Sequence, residues 1–412
     1  MITHLLFFIL VLLLIGASPS ESTPSSPLNA LMIAGLYLLL LVIIKLQTKI
    51  EKKWLKHNDV FYVATQIEFI LFLTIAYFLF HLNSFLLGFS HSYFFATLIP
   101  LLLFFAANAF YHFYSYAYHR AAAWPYTKKQ ISILVPFALP FLSFSLFNDL
   151  TSLTPIQIAY QGLINICLTA LFLVTSLPPL ICYLWNCSPL DHPLAPKLEL
   201  LCQEADFKHG GLKSWNLFSL TPTAAILGVL PRFRYVLFTP SLLNGLSPLA
   251  VEAVLAHEIG HSKHKHLLFL PFVLGGMIVV CSLIAQLLST LLPFLDDGLF
   301  FYLLYALLVA LYFRLVLGFF SRLFERQADL YGLKLGLPAN AMIEALDSIG
   351  RLTGNSHKLP NWHHFSLEER ILFLQKVEQE PSLEQKYDRF VFFAKFCFIL
   401  FLIIMSVCYF FF

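Results

Sequence analysis

The chain has 412 residues, of which 59% are hydrophobic and only 12% charged, with a mean hydropathy of +0.76. These values lie outside the range of ordinary soluble domains and predict an integral membrane protein, so the lipid bilayer is an expected partner. A net charge of +3 carries no polyanion-binding signal and excludes nucleic acid as an expected partner.

A bilayer span takes about 20 mostly apolar residues. The N-terminal stretch "LLFFILVLLLIGA" is shorter and runs into "SPSESTPSSP", so residues 1–27 read as a signal-like hydrophobic segment and Ser/Pro linker, either a cleaved signal peptide or an extra span. Spanning runs follow at 28–44, 69–90, 93–118, 131–147 and 156–185, which makes 28–185 a five-span membrane region. Two polar segments, 186–266 and 321–388, then bracket a pair of runs at 267–292 and 298–320, and a last run fills 390–412 of a terminal segment 389–412. The expected fold is mainly α, a polytopic membrane helical bundle of seven core spans plus terminal spans. The seven cysteines form no CxxC pair and mostly sit in these apolar runs, as small buried hydrophobes do.

Charge sorts the connections. Lys45, Lys49, Lys52, Lys53 and Lys56 fall in 45–59, and Arg120, Lys128 and Lys129 in 119–130, whereas 81–92, 148–155 and 293–297 carry no Lys or Arg. Basic loops and loops without Lys or Arg alternate as the positive-inside rule requires, which assigns both polar segments to the cytoplasmic side. Glu68 and Arg314 lie near the ends of their spans and read as snorkelling groups.

Within the first polar segment, "RFRYVLFTPSLL" (232–243) has the β-branched and aromatic content of a short strand leading into a turn. Ser247 and Pro248 then open a helix expected over 248–266, as an N-cap with proline at the first position. That helix carries "HEIGH", in which His257 and His261 stand one turn apart and can hold one zinc ion from the same face. Glu258 lies beside that face, placed to take a proton from a metal-bound water.

A catalytic zinc site takes three protein ligands and leaves one position open. The stretch "FFSRLFERQADLYG" (319–332) offers Glu325 as the third ligand, with Asp329 one turn on to orient a ligating imidazole such as that of His257. His264 competes, but on an unbroken helix it stands about 10 Å from His257, too far to share one ion. With Lys263, Lys265 and His266 it reads as a polar collar at the membrane surface.

"VEAVLAHEIGHSKHKH" and "SRLFERQADLYG", with two spans between them, resemble the integral-membrane gluzincins, the family of the CAAX prenyl proteases and the HtpX-like proteases. The match is clearest over about 219–375, and five spans ahead of the motif favour the CAAX prenyl protease type. The resemblance implies a cytoplasmic gluzincin-type metalloprotease domain with a short β edge and one zinc ion per chain. It implies a catalytic histidine and arginine from "HHFSLEERI", which supplies His364 and Arg370 but has Phe365 where the family has proline and His363 as an adjacent rival. It also implies substrate binding on an edge strand, where "SLTPTAAILG" places Thr223, Ala224 and Ala225, with Thr223 standing where the family has asparagine.

The expected function is zinc-dependent peptide-bond hydrolysis at the cytoplasmic membrane surface, on a peptide or protein substrate that is prenylated or membrane-embedded. Glu258 would be the general base, and His364 or Arg370 would steady the oxyanion. An HtpX-like quality-control protease, and a transporter or scaffold with a structural metal, are the alternative readings.

Overall fold

Inside a bilayer, backbone N–H and C=O groups must pair within their own segment, so the apolar runs fold as helices. The computed structural model describes residues 2–16, 26–54, 59–115, 120–154, 158–292, 298–358 and 365–411. The chain divides into two units, Met1–Trp185 and Asn186–Phe412. Among the described residues seven helices are long and apolar enough to cross a membrane, and a bent pair would make an eighth. The fold is the expected membrane helical bundle with a small sheet.

The first unit holds α1 (Ile2–Gly16), α2 (Pro27–Trp54), α3 (Asp59–Phe78), α4 (Leu82–Ser90), α5 (Tyr93–Ser115), α6 (Arg120–Ser152), α7 (Ile158–Thr175) and α8 (Leu177–Leu184). The expected span over 69–90 is corrected: the spanning segment is Val60–Phe78, and α4 is separate. His81 causes the break, because its φ of 50° is left-handed and cannot continue a right-handed helix. The 156–185 run is bent by 49° between α7 and α8, where Pro178 and Pro179 remove two successive backbone donors. Phe8, Phe69, Leu73, Leu101 and Phe104 form the apolar centre of this unit. Asp149 accepts hydrogen bonds from the Ser92 hydroxyl and from the amides of Tyr93 and Phe94, so it caps the start of α5.

The second unit runs β1 (Cys187–Pro189), α9 (Ala195–Glu204), β2 (Gly211–Trp215), β3 (Ala224–Leu227), β4 (Tyr235–Phe238), α10 (Pro240–Gly245), α11 (Pro248–Lys263), α12 (His266–Leu291), α13 (Gly298–Tyr312), α14 (Gly318–Asp329), α15 (Tyr331–Lys334), α16 (Ala339–Leu352), α17 (Leu367–Gln379) and α18 (Ser382–Phe411). The sheet order is β1-β2-β4-β3, with β2 and β4 parallel and both outer pairs antiparallel, so β3 is an edge strand. A π-helical turn over Phe313–Leu317 joins α13 to α14. Among the described residues the helical run there that is long and apolar enough to cross a membrane is Leu307–Lys334, whose last part is the polar stretch carrying Glu325 and Asp329.

α11 is the central element of this unit. Ser247 Oγ accepts from the Ala250 amide at 3.3 Å and Pro248 fills the first turn, which fixes where the helix starts. Its residues Val251, Leu255 and Ile259 join Val236, Phe238, Leu330 and Leu346 in one buried cluster. The helix ends at Lys263, short of the expected 266, because Lys265 adopts a left-handed φ of 57°. His266 therefore begins α12 on a new axis.

Candidate metal centre

Two helices supply the donor groups. His257 and His261 project from one face of α11, and Glu325 comes from α14. Gly260 lets the helices meet: a Cβ there would stand 2.7 Å from Tyr331 Cβ and 3.1 Å from Ala328 Cα. Gly260→Ala is expected to lower stability by about 1–3 kcal/mol through overpacking. The same push would part α11 from α14 and weaken metal retention, so thermal unfolding in detergent and zinc content should fall together.

The two imidazole Nε2 atoms lie 3.1 Å apart. Glu325 Oε2 is 3.7 Å from His257 Nε2, and Oε1 is 3.6 Å from His261 Nε2. A tetrahedron of ligands on bonds of about 2.05 Å has edges of about 3.3 Å, so these separations suit three ligands of one ion. Among the described residues this is the one cluster of three or more His, Cys, Asp or Glu side chains with converging donor atoms. Charge agrees with geometry. Glu258, Glu325 and Asp329 face the single guanidinium of Arg370, a formal excess of two negative charges that one divalent cation would neutralise.

Each imidazole turns its other nitrogen outward to a fixed partner. His257 Nδ1 is 2.8 Å from Asp329 Oδ1, the contact expected for a carboxylate that sets the tautomer of a ligand. Burial depresses the His257 pKa, but the Asp329 hydrogen bond and the charges of Asp329 and Glu325 outweigh it and leave a more basic ring. His261 Nδ1 is 2.9 Å from His266 Nδ1. Burial and the neighbouring His257 bring His261 down to about 4, which keeps its ring neutral and its Nε2 lone pair free.

Glu258 lines a cavity of about 330 Å³ together with His261, Glu325 and the edge-strand residues Ala225 and Ile226. Burial, then the charge of Glu325, push its carboxyl up to about 7 against the opposing effects of His257, the Ile226 amide and Arg370. The Ile226 N–H faces this carboxylate and favours its charged form. Of the residues expected to bind substrate, Ala225 borders the cavity. Thr223 instead bonds through its backbone to Thr239, donating to Oγ1 at 3.0 Å and accepting from the Thr239 amide at 3.1 Å, and Ala224 begins β3 beside it.

Arg370 is one of the two residues, with His364, expected to steady the oxyanion. Its guanidinium lies behind the converging donor groups instead, buried, with Nε 2.8 Å from Asp329 Oδ2, Nη2 2.5 Å from Oδ1 and Nη1 3.2 Å from Glu325 Oε2. Ser366 holds it there: a capping box with Glu369 fixes the first turn of α17. Phe365 is stacked by the Arg326 guanidinium at 3.7 Å. His363 and His364 lie outside the described residues.

Two contributors escape sequence reasoning. The Ile226 amide is a main-chain group, and nothing in the side-chain pattern points to it. The expected interfacial collar is corrected at one position: His266 is 5% exposed and turned inward to His261, whereas Lys263 and Lys265 are exposed.

Residues 194–378 match the family model described as Peptidase family M48. A Protease HtpX from Chromohalobacter salexigens is 30% identical over 138 residues, which cover 31% of this chain and 46% of that protein. The chain thus spans about half the length of this curated relative. The crystal structure of S. mikatae Ste24p superposes with a TM-score of 0.49 at 17% identity, covering 85% of this chain and 100% of that one.

Proposed function

We propose that this chain is a zinc-dependent endopeptidase whose peptidase region, matching family M48 over residues 194–378, works at the cytoplasmic surface of a membrane. The observation that carries the reading is the convergence of His257, His261 and Glu325 beside Glu258, in a cavity next to an open sheet edge. Two nitrogens and a carboxylate suit zinc, and the cavity leaves room for a fourth ligand. Bound there, zinc would polarise the scissile carbonyl and lower the pKa of a water molecule to about 7.

The chain's own residues do the rest. Glu258 takes the proton of the attacking water and delivers it to the leaving amine, while the Ile226 N–H faces its carboxylate. Asp329 orients His257, and Arg370 offsets the charge of Asp329 and Glu325 as a positioning residue. The substrate lies along β3 as an added strand, with Thr223, Ala224 and Ala225 at the start of that edge. The hydrophobic wall of Leu267, Leu270, Val273, Phe320 and Phe324 accepts an apolar side chain or lipid group next to the scissile bond. The alternation of basic loops with loops that lack Lys and Arg supports the cytoplasmic assignment.

The test is cleavage of two matched peptides by the full chain in detergent, one farnesylated on a near-terminal cysteine and one bare, followed by mass spectrometry beside Glu258→Ala. Cleavage lost in the variant supports the endopeptidase. Preference for the lipidated peptide supports a prenyl-protein substrate, and equal cleavage a broad degradative role. Zinc-loaded protein that cleaves neither peptide contradicts the reading.

A further inference from the structure

Resting on the reading of His257, His261 and Glu325 as metal ligands, we infer that His266, Gln327 and Asp388 form a hydrogen-bond relay. It orients the His261 imidazole on the metal and ties the centre to the C-terminal helix α18.

The relay is continuous. His266 Nδ1 stands 2.9 Å from His261 Nδ1, and its Nε2 stands 3.0 Å from Gln327 Oε1. The Gln327 amide donates to Asp388 Oδ1 at 2.8 Å, and the other carboxylate oxygen pairs with Lys334. The His266 ring is held in plane by stacking on Phe324, with centroids 4.1 Å apart and an angle of 6°. A ring so clamped presents both nitrogens in fixed directions.

Proton bookkeeping allows one direction only. His261 turns Nε2 toward His257 and Glu325, so as a neutral ligand it carries its proton on Nδ1 and donates. His266 Nδ1 must then accept, which leaves the proton on its Nε2 to donate to Gln327 Oε1. The Gln327 amide nitrogen is left to donate, and it meets a carboxylate, which only accepts. The ligand at one end and Asp388 at the other thus dictate the same polarity through every intervening atom. His257 reaches a carboxylate directly in Asp329, whereas His261 reaches one through two side chains.

α18 makes a second contact with the ligand helix. Lys395, two turns beyond Asp388 on the same face, donates to the His264 carbonyl at 3.0 Å, where α11 ends. A helix that composition marks only as an apolar span therefore grips α11 at the His264 carbonyl and reaches one of its metal ligands through Gln327 and His266. His266, Gln327 and Asp388 are positioning residues, since none of them lines up with the converging donor atoms.

The experiment measures zinc dissociation constants of the full chain in detergent, by competition with a chelator of known affinity, and the visible spectrum of the cobalt-substituted protein. His266→Leu is expected to weaken zinc binding about 10- to 100-fold and to shift the cobalt bands, as loss of a partner behind a ligand does. His266→Gln offers an acceptor and a donor on one amide and should recover affinity to within about threefold of the unaltered protein. Simple packing predicts the opposite order, because leucine fills the apolar side of the site better. Asp388→Ala should weaken zinc binding in the same direction. Where His266→Leu fails to fold, Gln327→Met carries the same test. Zinc affinity within about twofold of the unaltered protein in His266→Leu or Gln327→Met, and in Asp388→Ala, with unshifted cobalt bands, overturns the relay. Unaltered protein that binds no zinc overturns the metal centre itself and the relay with it.

Discussion

Glu258→Gln is expected to keep its zinc and to lose peptide cleavage by about 100- to 10,000-fold, the range of a positioned general base. Glutamine matches glutamate in shape, and its carbonyl oxygen can still face the Ile226 N–H, so the side chain should stay at the cavity wall. The three converging donors, on His257, His261 and Glu325, are untouched. What disappears is the capacity to take a proton from water and hand it to the leaving nitrogen. Elemental analysis and mass-spectrometric cleavage assays on one preparation separate the two effects. Cleavage at the unaltered rate would contradict the role given to Glu258.

The second large effect is expected behind the ligands. Asp329 and Arg370 are both buried and share a two-pronged contact. Removing one member of such a pair strands the other in a low-dielectric site and costs about 3–5 kcal/mol. Asp329→Leu and Arg370→Leu should each destabilise the peptidase region by that order. Replacing a whole buried pair with apolar groups is often neutral or stabilising, so the double variant should regain much of the lost stability. It should not regain zinc: His257 will still lack the carboxylate on Nδ1, a loss of about 10- to 100-fold in affinity. Thermal unfolding and zinc competition, compared across the four proteins, give the double-mutant cycle. A double variant no more stable than its parents, or one that binds zinc as the unaltered chain does, would count against this division of labour.

Much of the fold is legible in the sequence because lipid leaves the backbone few choices. A long apolar run without charges has to be a helix, and Ser247-Pro248 marks the start of α11 as plainly as any N-cap can. Breaks that depend on a left-handed residue are not legible when the residue is not glycine. His81 divides the expected 69–90 span, and Lys265 ends α11 early; lysine does not announce a positive φ, and histidine's enrichment there is too small to place a break.

The candidate centre divides along similar lines. One helical turn brings His257 and His261 together and is visible as HEIGH, and the pairing of Glu325 with Asp329 is visible as a second one-turn spacing. The approach of those two pairs is a tertiary event made possible by Gly260 against Ala328, which no spacing reveals. His266 is the sharpest case. On a straight helix, position 266 would point away from the face carrying His257 and His261, which is why it resembles part of a surface collar. The turn at Lys265 brings it back to within 2.9 Å of His261. Arg370 shows a different limit: its distance in sequence from the ligands is compatible with facing substrate or with facing carboxylates, and only the packing of α17 chooses the second.

The central claim is metal-dependent peptide hydrolysis at His257, His261 and Glu325, and its most direct test is a zinc titration of chelator-stripped protein with cleavage followed at each step. The account predicts that turnover rises with added zinc and saturates at about one equivalent per chain, and that Glu325→Ala, lacking the third ligand, neither retains zinc nor recovers activity. Stripped protein that cleaves at full rate, or a Glu325→Ala variant that binds zinc and cleaves like the unaltered chain, would contradict it.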